Sequence, residues 1–151
     1  MMNTSESNKS VLSRAALVLL FLSSANLYAE QPMSITLNGA AEAPPVTTSA
    51  TGNGEITVLP NRTVSGNIRV TGLVPTMAHI HEGAAEENGP AIITLTRTGN
   101  DSFALPVDAK LTDAQYTSFM AGKLYVNVHS ARYPDGEIRA QLLGKPITIA
   151  N

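Results

Sequence analysis

The sequence predicts an all-β domain, an antiparallel sandwich or Greek-key barrel carrying a single short helix. Short apolar runs alternate with polar residues along most of the chain, the period that puts one face of a strand against a core. Eleven glycines and nine prolines are scattered singly, so turns recur at short intervals instead of collecting in a linker. Only one segment carries both helix start and stop signals. At 151 residues the chain is the size of one domain once a leader is removed.

That leader comes first. Lys9 and Arg14 precede an unbroken apolar run from Ala15 to Leu22, followed by the small residues Ser23, Ser24, Ala25 and Ala29. The run is too short to span a bilayer and has the build of a signal peptide. Residues 1–29 are therefore expected to be a signal peptide, with cleavage after Ala25 as the other option, and 30–151 the exported domain. The destination would be periplasmic or secreted, with no membrane attachment after cleavage.

Met33, Ile35 and Leu37 alternate as a first strand, which Pro44 and Pro45 stop because proline has no N–H for a ladder. Ser49 to Gly54 reads as a loop or a loosely packed strand start. Two arms, one with Ile56 and Val58 and one with Val64, Ile68 and Val70, flank a turn near Asn61, with Gly66 as a potential bulge. Gly72 and Pro75 precede the strand Met77-Ala78-His79-Ile80-His81-Glu82. Gly83 to Pro90 reads as an acidic surface loop, Ala91 to Leu95 as a buried strand and Phe103 to Val107 as another. Thr112 and Gln115 are spaced as a capping box, Leu111 and Tyr116 as a hydrophobic staple, and Gly122 is a helix stop. The strand Leu124 to His129 has Leu124, Val126 and Val128 on one face and Tyr125, Asn127 and His129 on the other. In the last strand Ile138, Ala140 and Leu142 point inward, with Glu137, Arg139 and Gln141 outward.

Several chemistries are excluded. With no cysteine there is no disulfide, thiol nucleophile, Cys-type zinc site or lipoprotein acylation. After cleavage at Ala29 the chain keeps 8 basic and 11 acidic residues, a net charge of −3, with no basic run, so nucleic acid is not an expected partner. Asn61-Arg62-Thr63 and Asn100-Asp101-Ser102 match a glycosylation sequon, which matters only in a eukaryotic secretory route.

The three histidines carry the chemistry. His79 and His81 share one strand face, and His129 has the same polar parity on its own strand. Neutral imidazole suits copper and zinc, and three such ligands leave a coordination position open. The residues therefore point to a metal site of His79, His81 and His129, with copper preferred and zinc the alternative. Met77, Glu82 and Asp135 are possible auxiliary ligands or supports. Arg132 and Arg139 have the charge to steer anions. The competing reading is a hydrogen-bond network bracing two strand ends with Asn127 and Ser130. General acid–base catalysis has no accompanying nucleophile, since Ser130 and its neighbour His129 face opposite ways.

Leu37-Asn38-Gly39-Ala40-Ala41-Glu42-Ala43-Pro44-Pro45-Val46, then Ala78-His79-Ile80-His81-Glu82-Gly83, then Asn127-Val128-His129-Ser130 and Gly136-Glu137-Ile138-Arg139-Ala140-Gln141 resemble the CHRD (chordin-type) domain family. The resemblance runs from about Leu37 to Leu143. It implies an immunoglobulin-like or dismutase-like Greek-key β-sandwich found in secreted proteins. A fainter resemblance to copper–zinc superoxide dismutase rests on His79, His81 and His129 alone. The chain has no fourth histidine to bridge two metals, no zinc-loop histidines and no disulfide. What is left is a bare three-histidine copper site. Two functions follow: an exported metal-binding protein for copper carriage or buffering, with weak dismutase-like redox activity as its only enzymatic reading, or a metal-free module that binds another exported protein.

Overall fold

A computed structural model describes residues 32–144, so the expected signal peptide and the new start at Glu30 lie outside the described residues. Nine strands form one antiparallel sheet: β1 (Met33–Asn38), β2 (Thr51–Val58), β3 (Val64–Thr71), β4 (Pro75–Glu82), β5 (Ala91–Thr94), β6 (Thr96–Arg97), β7 (Ser102–Ala104), β8 (Leu124–Ser130) and β9 (Ile138–Leu142). Their order across the sheet is β5-β4-β8-β9-β1-β2-β3-β7-β6. The two edge strands, β5 and β6, are separated in sequence only by Leu95. The sheet is therefore curled almost into a barrel, which leaves little free edge. Across the seam, the Leu95 N–H donates to Ala78 O at 2.9 Å, and the Arg97 guanidinium donates to the carbonyls of Pro75 and Thr76.

The alternation in the sequence explains the core. Leu37, Ile56, Ile68, Ala78, Ile80, Val126, Val128, Ile138 and Leu142 all turn inward and are essentially inaccessible. Each large member contributes about 1.5–3 kcal/mol by leaving water. The helix α1 (Asp113–Met120) has both bonds of the capping box between Thr112 and Gln115, and it adds Phe119 to the core. Gly122, at φ 70°, follows its last turn.

Three local expectations change. The β2–β3 register passes Gly66 without a shift, so there is no bulge. The stretch Ala91–Thr94 is an edge strand with exposed ends, and only Leu95 beyond it is buried. The outer face of β8 is not open to solvent, since all seven of its residues are buried. Glu42, the 83–90 loop and the 130–136 turn cover that face, through contacts to Asn127, Tyr125 and His129 respectively.

Candidate metal centre

β4 lies antiparallel beside β8, with Met77 opposite His129, His79 opposite Asn127 and His81 opposite Tyr125. Side chains of like parity on neighbouring strands share a face, so the register delivers all three imidazoles to one spot on the outer face. One ring nitrogen from each of His79, His81 and His129 lies within 4.8 Å of the other two. Among the described residues no other group of three or more histidine, aspartate or glutamate side chains meets in this way. His79 and His81 are half-buried and His129 is buried.

Hydrogen bonds fix which nitrogens are available. His81 Nδ1 lies 2.9 Å from Gly89 O, and His129 Nδ1 lies 2.8 Å from Pro134 O. A carbonyl only accepts, so both rings carry their proton on Nδ1 and present Nε2 as a lone pair. His129 Nε2 is 3.0 Å from His79 Nδ1 and takes that ring's proton in a hydrogen bond. His81 Nε2 is buried and has no partner. A buried polar atom left unpaired costs about 1–3 kcal/mol, and a cation is a natural occupant beside it. Moving the His79 proton to Nε2 would free Nδ1 to join the set.

Burial holds all three imidazoles below the ordinary histidine pKa. The neighbouring rings push His79 down further, whereas Gly89 O and Pro134 O pull His81 and His129 part of the way back. The cluster is neutral at pH 7, the state a metal ligand requires.

The auxiliary candidates stand apart from this group. Glu82 accepts a 2.5 Å hydrogen bond from Ser118 of α1 and is turned toward the helix. Asp135 lies close enough for its charge to raise the His129 pKa, but outside the ligand cluster. Met77 is the ladder partner of His129 and is half-exposed. Arg139 is only 1 % exposed, so it does not steer anions from the surface. Its guanidinium stacks on the Tyr125 ring, 3.4 Å from the centroid. Tyr125 in turn stacks on His81, with centroids 4.9 Å apart and planes 9° from parallel. A cleft of about 620 Å³ opens beside the cluster, with His81 and His129 in its wall, Tyr125, Tyr133 and Arg132 around it, and Glu42 at its edge.

Glu42 was not legible as a site residue, because nothing beside it in sequence says where it docks. Asn127 Nδ2 donates to both of its oxygens, at 2.8 and 3.0 Å, while Asn127 Oδ1 is buried without a partner. Burial raises the Glu42 carboxyl to about 7, against the pull of the Arg139 charge and the Asn127 amide. A folded-state pKa above the unfolded value means that Glu42 contributes stability below pH 4.5 and loses it as pH rises through about 7. Glu42→Gln is expected to remove that loss, gaining about 2 kcal/mol on wild type at pH 8 compared with pH 4.5. Asn127 accommodates the new amide by turning its free Oδ1 inward. Urea denaturation across that pH range checks it, and parallel curves for the two proteins would refute the assignment.

The fold and the cluster define a small antiparallel β-barrel-like domain whose outer face gathers three neutral histidines between covering loops. The family model of the CHRD domain matches residues 33–142, and the chain belongs to that family. No curated protein and no solved structure matches the chain significantly. The match spans all nine strands and the three histidines.

Proposed function

We propose that this protein is an exported CHRD binding module whose His79, His81 and His129 take one metal ion, copper in preference to zinc. The orphaned, buried Nε2 of His81, in a ring that clusters with two further imidazoles, is the observation that carries the metal reading. Imidazole sites favour Cu(II) over Zn(II) at equal availability, and three histidines leave room for an outside ligand. Carriage or buffering of copper fits such a site, with weak dismutase-like redox activity as the one enzymatic extension.

Export is supported by the leader-like N-terminus, and among the described residues no helix is long and apolar enough to cross a membrane. Family membership by itself favours the second reading, a metal-free extracellular module that binds another protein. In that case the 3.0 Å His79–His129 hydrogen bond is the purpose of the cluster, a brace between β4 and β8.

Calorimetric titration of the full chain with Cu(II) and Zn(II) decides between them. One equivalent of copper is expected to bind, more tightly than zinc. Because all three imidazole pKa values are lowered, protons compete less, and affinity should hold to a lower pH than in a site of ordinary histidines near 6.5. No binding of either metal at pH 7 would leave the metal-free interaction module.

A further inference from the structure

We propose that Glu137, immediately before β9, and Arg139, within it, are positioning residues that separately set the imidazole tautomers of His129 and His81. The relevance to metal binding rests on the function proposed above. The tautomer assignment itself does not.

Arg139 acts through the 83–90 loop. Its Nη1 donates to Glu87 O at 3.0 Å and its Nη2 to Ala84 O at 2.7 Å. Gln141, held by Arg139 at 3.0 Å, donates to Gly83 O at 2.9 Å. The planar fork meets two carbonyls at once, which a lysine ammonium on a flexible stem does not reproduce. β8 lies between β4 and β9, so Tyr125 receives the guanidinium from one flank and the His81 ring from the other. The Tyr125 hydroxyl accepts from Gly89 N–H at 3.1 Å. Gly89 is thereby fixed so that its carbonyl takes the His81 Nδ1 proton. The place has no slack, since a Cβ on Gly89 would come 1.7 Å from Glu82 O.

Glu137 acts through the 130–136 turn. Its carboxylate accepts from Ser130 Oγ at 2.5 Å and Thr48 Oγ1 at 2.7 Å, and it is buried. Ser130 Oγ, oriented by that bond, accepts from Tyr133 N–H at 3.2 Å. Tyr133 O accepts in turn from the N–H groups of Ser130 and Gly136. The turn is pinned around Tyr133, and the next carbonyl, Pro134 O, faces His129 Nδ1. Two residues at the start of β9, one just before it and one in it, thus anchor two loops, and each loop spends one carbonyl on one histidine. Hydrogen-bond partners of this kind orient imidazole ligands and raise their basicity.

Long-range proton–nitrogen correlation spectra of the metal-free, ¹⁵N-labelled full chain test this. Both His81 and His129 should be single Nδ1–H tautomers in the wild type. In Arg139→Gln the His81 signal should become a tautomer mixture while His129 is unchanged, and Glu137→Ala should do the reverse. Glu137→Gln, which keeps an acceptor for Ser130, should restore His129. Tyr125→Phe and Ser130→Ala cut the same two routes with smaller losses of packing, and decide the matter if the first pair does not fold. Zinc affinity should drop roughly 10- to 100-fold in Arg139→Gln and in Glu137→Ala. Unchanged tautomers, or simultaneous loss at both rings in every variant, would overturn the proposal. The second pattern would mean that the substitutions only loosen the fold. Selective tautomer changes in a wild type that binds no metal would refute the metal site and leave the positioning roles standing.

Discussion

His129→Ala is expected to abolish stoichiometric copper binding, with Kd rising roughly a hundredfold or more, because a ligand is lost and not only its support. His129 is the sole contribution of β8 to the cluster and the hydrogen-bond partner of His79, so its removal leaves two imidazoles on one strand. Glu82→Ala and Asp135→Ala should stay within a fewfold of wild type, since Glu82 is engaged by Ser118 and neither carboxylate is in the ligand group. Parity alone predicts that histidines facing away from the core are neutral for stability. His129 is 6 % exposed and donates to Pro134 O, so the same substitution should also cost about 1–2 kcal/mol by stranding that carbonyl. Titration calorimetry and urea denaturation of the one variant measure both effects. Tight one-to-one copper binding that survives the substitution would place the site elsewhere.

Gly136→Ala should be among the most damaging single-methyl changes in the domain, at about 3 kcal/mol and of the order of 10 °C in Tm. Two causes coincide there. The backbone has φ 134°, where L-residues are strained, and a Cβ would sit 2.3 Å from Asn127 Nδ2 and 2.8 Å from Glu42 Oε1. Those two atoms belong to a buried, hydrogen-bonded pair, so making room for the methyl breaks or stretches that bond. Gly122→Ala is the control: φ is also positive, at 70°, but the nearest atom to the new Cβ is 3.5 Å away, so a cost near 1 kcal/mol is expected. Equal losses in the two variants would show that backbone strain alone matters and that the Glu42–Asn127 contact is not tight.

Much of the fold could be read locally. A strand has a period of two, so Leu124, Val126 and Val128 announce a buried face wherever the strand ends up, and His79, His81 and His129 announce the opposite one. The Thr112–Gln115 capping box closes as its spacing requires, because both partners lie within one turn. The pairing of β4 with β8, expected from shared parity, is present, and it brings the histidines within ligand distance of one another. The family-like segments also fall where the covering loops and the histidine strands are.

Sequence by itself determined which residues share a face and that three imidazoles could share one. Only the tertiary structure decided what covers that face. Glu42 reaches Asn127 across 85 positions, Arg139 reaches Ala84 across 55, and Tyr125 meets Gly89 across 36. A period of two says that Arg139 points away from the core, but not whether water or a loop meets it there. The answer depends on how distant loops close over the sheet, and polar residues look the same in sequence under either outcome. It also decides the chemistry: carbonyls from two of those loops accept the Nδ1–H groups of His81 and His129, which leaves Nε2 of each ring as the lone pair, and burial favours the neutral rings.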